Sequence, residues 1–357
     1  MITASDEFIA ALAYSHESLI RVTIDGAVVP VAAGKLSCDW SRNVRRTGSL
    51  RVADDPQTPD LVESITTASV VVIEKGIRFL DRSTEYVTVA TMMVQDVKRS
   101  MLDEYVDIML SDQGQLVDDY PLVFPWSPEG ANVVNAIKSL VEDVLAVAPT
   151  WTVDLDAGPA AAVAPDGIMY TAGTSRWNAV NELALTISAQ VYAEVDGTWV
   201  IKQIRPGYTP VFSIFTGPGG VLVDATRSAS RRDTFNAVPI EWGTADEVGG
   251  IVLVTDSNPT SPTYWDGPWG RKPRSTIKLP VITEEEATAA AVAELQLVTG
   301  AQSGLNLATV YNPLLEPGDV IGVTTRGATV EYHVMDVLEY DLLGATMNAS
   351  TRVVSTV

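Results

Sequence analysis

Arg231-Arg-Asp-Thr-Phe-Asn-Ala-Val238 opens the stretch on which the reading of this chain turns. It leads into a strand-like run, Val238-Pro-Ile-Glu-Trp242, and later into a loop, Asn258-Pro-Thr-Ser-Pro-Thr-Tyr-Trp-Asp-Gly-Pro-Trp-Gly270, whose prolines and glycines stop helices and ladders. A helix follows. Thr283 stands before Glu284, Glu285 and Glu286, an N-cap followed by acids that suit the helix dipole, and an alanine-rich run continues to about residue 300. Leu315-Glu-Pro-Gly-Asp-Val320 then turns tightly into a β-rich carboxyl end.

Away from that stretch the chain divides by hydrophobic period. Residues 3–15 have the spacing of a short amphipathic helix that must dock on something to persist. From Leu19 the period is two: Ile20, Val22 and Ile24 alternate with polar residues, Asp25-Gly26 makes a hairpin turn, and further strands are expected at 35–40, 47–53, 70–75, 86–95 and 105–110. So many short strands in so little chain predict an antiparallel sandwich or barrel. Residues 121–128, with three prolines, read as a linker. Helical spacing returns at 132–147 and 175–190, with a hairpin about Asp196-Gly197, which describes a small α+β unit. The period is two again from 208 onward. The expected organisation is a mainly β chain with an α+β insert: 1–125, the first helix and first β unit; 126–206, the α+β insert; 207–357, a second β unit with a helix at about 283–300. Arg45-Arg46-Thr47 and Arg231-Arg232-Asp233-Thr234, each at a strand entrance, suggest that the two β units are related.

The order of these segments resembles the hub proteins at the tip of long-tailed bacteriophage tails, in the version found in phages of actinobacteria. The resemblance rests on residues 231–238, 258–270 and 315–320, together with Ser15-His16 and Val44-Arg-Arg-Thr47, and spans most of the chain. It implies two tail-tube-like antiparallel β-barrels in one chain and a homotrimer whose six barrels match a six-fold tail to a three-fold tip. It also implies a distal tail protein, a tape-measure protein and central fibre or spike proteins as neighbours, with DNA passing through the lumen. A hub of a gene-transfer particle or bacterial injection system would share this architecture.

The chemistry-bearing residues agree with a structural role. The net charge is −21, and residues 101–200 hold 15 acids and 2 bases, a balance opposed to gripping nucleic acid from outside but suited to letting a polyanion slide past. One cysteine, Cys38, excludes an intramolecular disulfide and a cysteine zinc cluster, and His16 and His333 are far apart. No nucleophile elbow, Walker loop or dinucleotide fingerprint occurs, and Gly217-Pro-Gly-Gly220 places proline where a phosphate loop needs N–H groups. No catalytic residue, cofactor or metal is therefore expected. The paired acids Asp54/Asp55, Asp118/Asp119, Asp154/Asp156 and Glu142/Asp143, with eight tryptophans, keep open a second class, a carbohydrate-binding or glycan-cleaving β protein of the tail tip. The candidate subunit-interface residues are Arg42, Arg45, Arg46, Arg51, Arg231 and Arg232, whose guanidinium forks suit a neighbour's carboxylates, and the loop aromatics Tyr264, Trp265 and Trp269. The amino end lacks the pattern of a secretory signal and no run is apolar enough to span a bilayer, so assembly in the host cytoplasm is expected.

Overall fold

The computed structural model describes residues 2–354 apart from 15, 54–63, 100–104, 129, 165–167, 206–208, 229–230, 232–233, 244–247, 282, 300–303 and 326–328. A short helix, α1 (Asp6–Ala11), is capped by Ser5 and buries Phe8 and Leu12 against the β core, the docking that so short a helix needs. The first β unit comprises β1 (Glu17–Ile24), β2 (Ala27–Val28), β3 (Val31–Asp39), β4 (Arg46–Ala53), β5 (Val70–Arg78), β6 (Thr84–Arg99) and β7 (Tyr105–Ser111). Asp25 and Gly26, both at positive φ, make the tight turn between β1 and β2.

The acidic α+β unit holds α2 (Gly114–Asp119), α3 (Val133–Glu142), β8 (Trp151–Asp154), α4 (Ala157–Ala161), α5 (Arg176–Thr186), β9 (Ala189–Ala193) and β10 (Trp199–Gln203). Its sheet, ordered β8-β10-β9, packs with α2, α3 and α5 around the buried rings of Trp177 and Trp199, stacked 5.9 Å apart. Residues 121–128 are no free linker: Leu122 is buried and donates its N–H to Thr174 O, and Trp126 pairs with Tyr170.

The remaining elements are β11 (Phe212–Phe215), β12 (Leu222–Ser228), β13 (Ala237–Gly243), β14 (Val248–Thr255), β15 (Ile277–Leu279), α6 (Glu284–Val298), β16 (Gly304–Val310), β17 (Val320–Thr324), β18 (Val330–Asp341) and β19 (Thr346–Val353). The stretch 237–298, read from sequence as part of the second β unit, forms its own sheet, β14-β13-β15, and its own core with α6. The capping box of Thr283 and Glu286 starts that helix.

The other strands make one sheet that crosses the molecule: β12-β16-β19-β18-β3-β4-β7-β6-β5-β1-β2, with β17 and β11 branching from β18. It contains a repeat. Taken in chain order, β1, β3, β4, β5, β6 and β7 correspond to β11, β12, β16, β17, β18 and β19, and both sets pair in the same spatial order. The irregularities correspond as well. The β3–β4 ladder slips between Val31 and Ala33, and the β12–β16 ladder between Leu222 and Asp224. The β6–β7 ladder slips between Val94 and Asp96, and the β18–β19 ladder between Met335 and Val337. Bulges fix register and bend strands, so two matching bulges define equivalent positions residue by residue. Two differences remain: β1 meets β5 antiparallel, whereas β11 meets β17 parallel, and the β5–β6 ladder slips between Ile73 and Glu74 where the β17–β18 ladder runs without a slip. The short arginine match does not mark the repeat, because Arg46 opens β4, the counterpart of β16, while Arg231 precedes β13 of the inserted unit.

Candidate functional site

The long sheet has one apolar and one polar face. Leu36, Leu50, Ile108, Leu307, Leu338 and Ala349 turn inward and are buried. Their alternates turn outward, and the ladders set them side by side: Ala308 opposite Asn348, Asn348 opposite Glu339, Glu339 opposite Ser37, Ser37 opposite Thr47. That row runs from the second β unit into the first without a break. A second row passes from Asp341 to Lys35, Ser49 and Met109. The surface is shallow, with hollows of about 500 and 760 Å³ along it.

Its charges are arranged to hold few free cations. Arg51 is gripped by both oxygens of Asp107 at 2.7 and 2.9 Å, and Lys98 meets Asp96 at 3.2 Å. The hydrogen bond from Arg51 holds the Asp107 carboxyl below its ordinary pKa, so the pair stays ionised. Glu339, Asp341 and Asp224 add acid to the same face. Small polar side chains and neutralised bases give phosphates little to bind, since polyanion affinity comes from cations that displace counterions.

Beneath this face the three units are tied at one buried joint. Arg45 and Arg46, only 7% and 3% exposed, are not surface arginines as the sequence reading expected. The corner between β3 and β4 turns both into the chain. Arg46 donates to Ala193 O of the α+β unit at 2.7 Å and to Glu316 of the second β unit at 2.9 Å, while its backbone N–H bonds Asp112. Arg45 lies between the rings of Tyr192 and Trp40, at 3.6 and 4.6 Å, and burial pushes its guanidinium down to about 10, still charged at neutral pH. Burial raises the carboxyls of Asp112 and Glu316, with Arg46 opposing in each. Gly318 closes the joint, its N–H bonded to Met335 O and its α-carbon against Trp40. The segments 44–47 and 315–320 therefore meet in space.

The remaining candidates are spread out. Arg42 is exposed and bonds Asp39 at 3.0 Å. Arg231 is exposed and lies over the Trp269 ring at 4.6 Å; Arg232 lies outside the described residues. Tyr264, Trp265 and Trp269 are half-buried in a loop folded on itself. Two buried side chains hold that loop. Asp256 accepts from Ser261 Oγ and Thr263 Oγ1 at 2.5 and 2.7 Å, and Asn236 donates to Thr263 O and Gly270 O while accepting from the Lys272 N–H.

The acid pairs are engaged locally. Asp154 and Asp156 share Arg205, Glu142 accepts from Trp151 Nε1, and Asp143 meets buried Arg176; Asp54 and Asp55 lie outside the described residues. His333 is fully buried, hydrogen-bonded to Thr351, and burial lowers its pKa. His16 caps the end of α1 through Ala11 O and Tyr14 O, and burial pushes the Cys38 thiol up to about 11. Among the described residues no three His, Cys, Asp or Glu side chains gather as metal ligands, and no helix is long and apolar enough to cross a membrane.

A scan against protein-family models finds no match, and no curated protein is significantly similar in sequence. Solved structures do share the fold. The chain is similar to the tail protein from Neisseria meningitidis MC58, with 12% identity and a TM-score of 0.68 over 94% of this chain and 96% of that one. It is similar to the 43 kDa tail protein of prophage MuSo2 from Shewanella oneidensis, with 15% identity and a TM-score of 0.63 over 94% and 98%. A third is an E. coli component of the type VI secretion system described as structurally similar to T4 bacteriophage tail proteins gp27 and gp5: 11% identity, TM-score 0.55, 94% and 77% covered. This mainly β architecture is thus that of phage tail and hub proteins.

Proposed function

We propose that this chain is a structural, non-catalytic hub protein of a phage-type tail tip, three copies of which form a ring of six β units that continues the tail tube. The observation that carries the reading is the polar face that passes unbroken from one β unit to the next, with Arg51 and Lys98 paired to Asp107 and Asp96 and Lys35 standing opposite Asp341. Turned inward in a ring, it would make a wall over which DNA moves without sticking. The likeness in fold to tail proteins of Neisseria and Shewanella, end to end on both sides, supports the same reading. The motifs at 231–238, 258–270 and 315–320 carry the resemblance to hubs of long-tailed phages of the actinobacterial siphovirus kind. In that setting the ring sits below the tape-measure protein, between the distal tail protein and the central fibre or spike, at the tip of the virion tail.

Light scattering on the full chain, followed by electron microscopy of the particles, tests this. The expected result is a ring of about three times 38.2 kDa with the polar face inward and no retention of DNA at physiological salt. A ring with that face outward, or tight DNA binding, would refute it.

A further inference from the structure

We infer that copies of this chain join head to tail by adding the outer edge of β12 in one copy to the distal half of β6 in the next, repeating between chains the join that β18 and β3 make within each chain. The inference deepens the ring reading above and rests on it for the claim that copies meet at all.

The argument starts from β18. On one side it pairs with β19; on the other it pairs first with β17, over 330–334, and then with β3, over 337–341. Its counterpart β6 is built alike: β7 occupies one side, and β5 occupies the other as far as Met93. Even the adjoining backbone bond is repeated, Val94 N–H to Ser69 O matching Met335 N–H to Asp319 O. Beyond that point, over residues 95–99, no described strand lies where β18 carries β3. The strand equivalent to β3 is β12, and among the described residues β12 ends the sheet with no strand on its outer side. One open edge therefore matches the other, and the in-chain join shows how they fit. Such an interface is heterologous, and repeated around an axis it closes a ring. It also covers both edges, which an exposed sheet otherwise offers to any chain.

Register follows from the bulges. Glu339 faces Ser37 within the chain; Lys98 is equivalent to Glu339 and Ser228 to Ser37, so Lys98 of one copy faces Ser228 of the next. The same register sets Arg99 across from Arg227, where the in-chain join sets Tyr340 against Leu36. Each arginine has its own acceptor, Ile65 O for Arg99 and Glu331 for Arg227. The seam between copies is thus softer than the seam within one.

Two chains with one introduced cysteine each test the register, Lys98→Cys and Thr226→Cys, both at exposed positions, with native Cys38 buried and its thiol pushed up to about 11. A thiol-to-thiol linker reaching about 8 Å spans the diagonal between facing strands. Mixing the two variants should give a two-chain adduct, a chain carrying both cysteines should give a ladder reaching three chains, and neither single variant should link to itself. Self-linking of Lys98→Cys would mean a two-fold contact and overturn the inference. A multimer by light scattering that yields no 98–226 adduct overturns these edges while leaving the ring; a monomer at every concentration with no adduct overturns both.

Discussion

Gly318 has φ of +92°, and a Cβ built on it would stand 1.8 Å from Cζ3 of Trp40. Gly318→Ala therefore combines left-handed strain with a clash against a ring held between units, and should lower stability by at least about 2 kcal/mol in urea unfolding. Arg46→Met should cost about 3–5 kcal/mol, because it strands the buried carboxyl of Glu316, whereas Asp112 keeps its bonds from the backbone N–H groups of residue 46 and Gly114; adding Glu316→Gln should restore much of the loss. Lys75 gives a pH signature. It is buried, donates to Leu342 O, and burial pushes its amine down to about 8. Between about pH 8 and its ordinary value near 10.5 the unfolded chain holds a proton that the folded chain has released, so stability from this group rises with pH. Unfolding free energies of wild type and Lys75→Met, measured from pH 7 to 10, should converge on the wild type's gain as pH rises; a constant difference would contradict it. At this scale the sequence was least legible. Arg45 and Arg46 looked like contact residues because a run of bases in an acidic chain carries no mark of the corner that turns it inward.

At the scale of elements, periodicity was a good guide wherever one face is buried. The strands at 70–78 and 105–111 and the helices α3 and α5 fall where apolar spacing placed them, and α6 where the Thr283 cap and the acids after it did. The separate sheet of β13, β14 and β15 was not legible, since period two says that a strand has a buried face but not which core buries it. The loop 256–270 has a local explanation in Asn236 and Asp256, two buried polar side chains that bond its backbone and hydroxyls. Asn236→Ala removes the acceptor for the Lys272 N–H and the donors to Thr263 O and Gly270 O. Hydrogen exchange within 256–272 should accelerate by roughly 5- to 150-fold, for roughly 1–3 kcal/mol of lost satisfaction, while β3 and β4 keep their protection.

For the whole molecule, the mainly β class and the presence of two β units with acidic material between them could be read from the sequence. The polar face could not. Alternation marks Ser37, Thr47, Glu339 and Asn348 as outward residues of four strands, but only the ladders make them neighbours. If that face lines a passage, replacing Ser49, Asn348 and Thr47 together by lysine should leave assembly intact while the particles retain DNA at physiological salt and release it as salt is raised. Unchanged DNA retention would place the passage elsewhere.

The join between β18 and β3 has a further consequence in time. Leu338 pairs with Cys38, about 300 residues upstream, and a ribosome adding about 5–20 residues per second needs roughly 15–60 s to travel between them. For that interval the nascent first unit waits with its edge uncovered, among sibling chains that carry the same strand. Its own β18 arrives tethered, at an effective concentration no sibling matches, so the long way round the chain is also what keeps each copy from being stitched into its neighbour before it is complete.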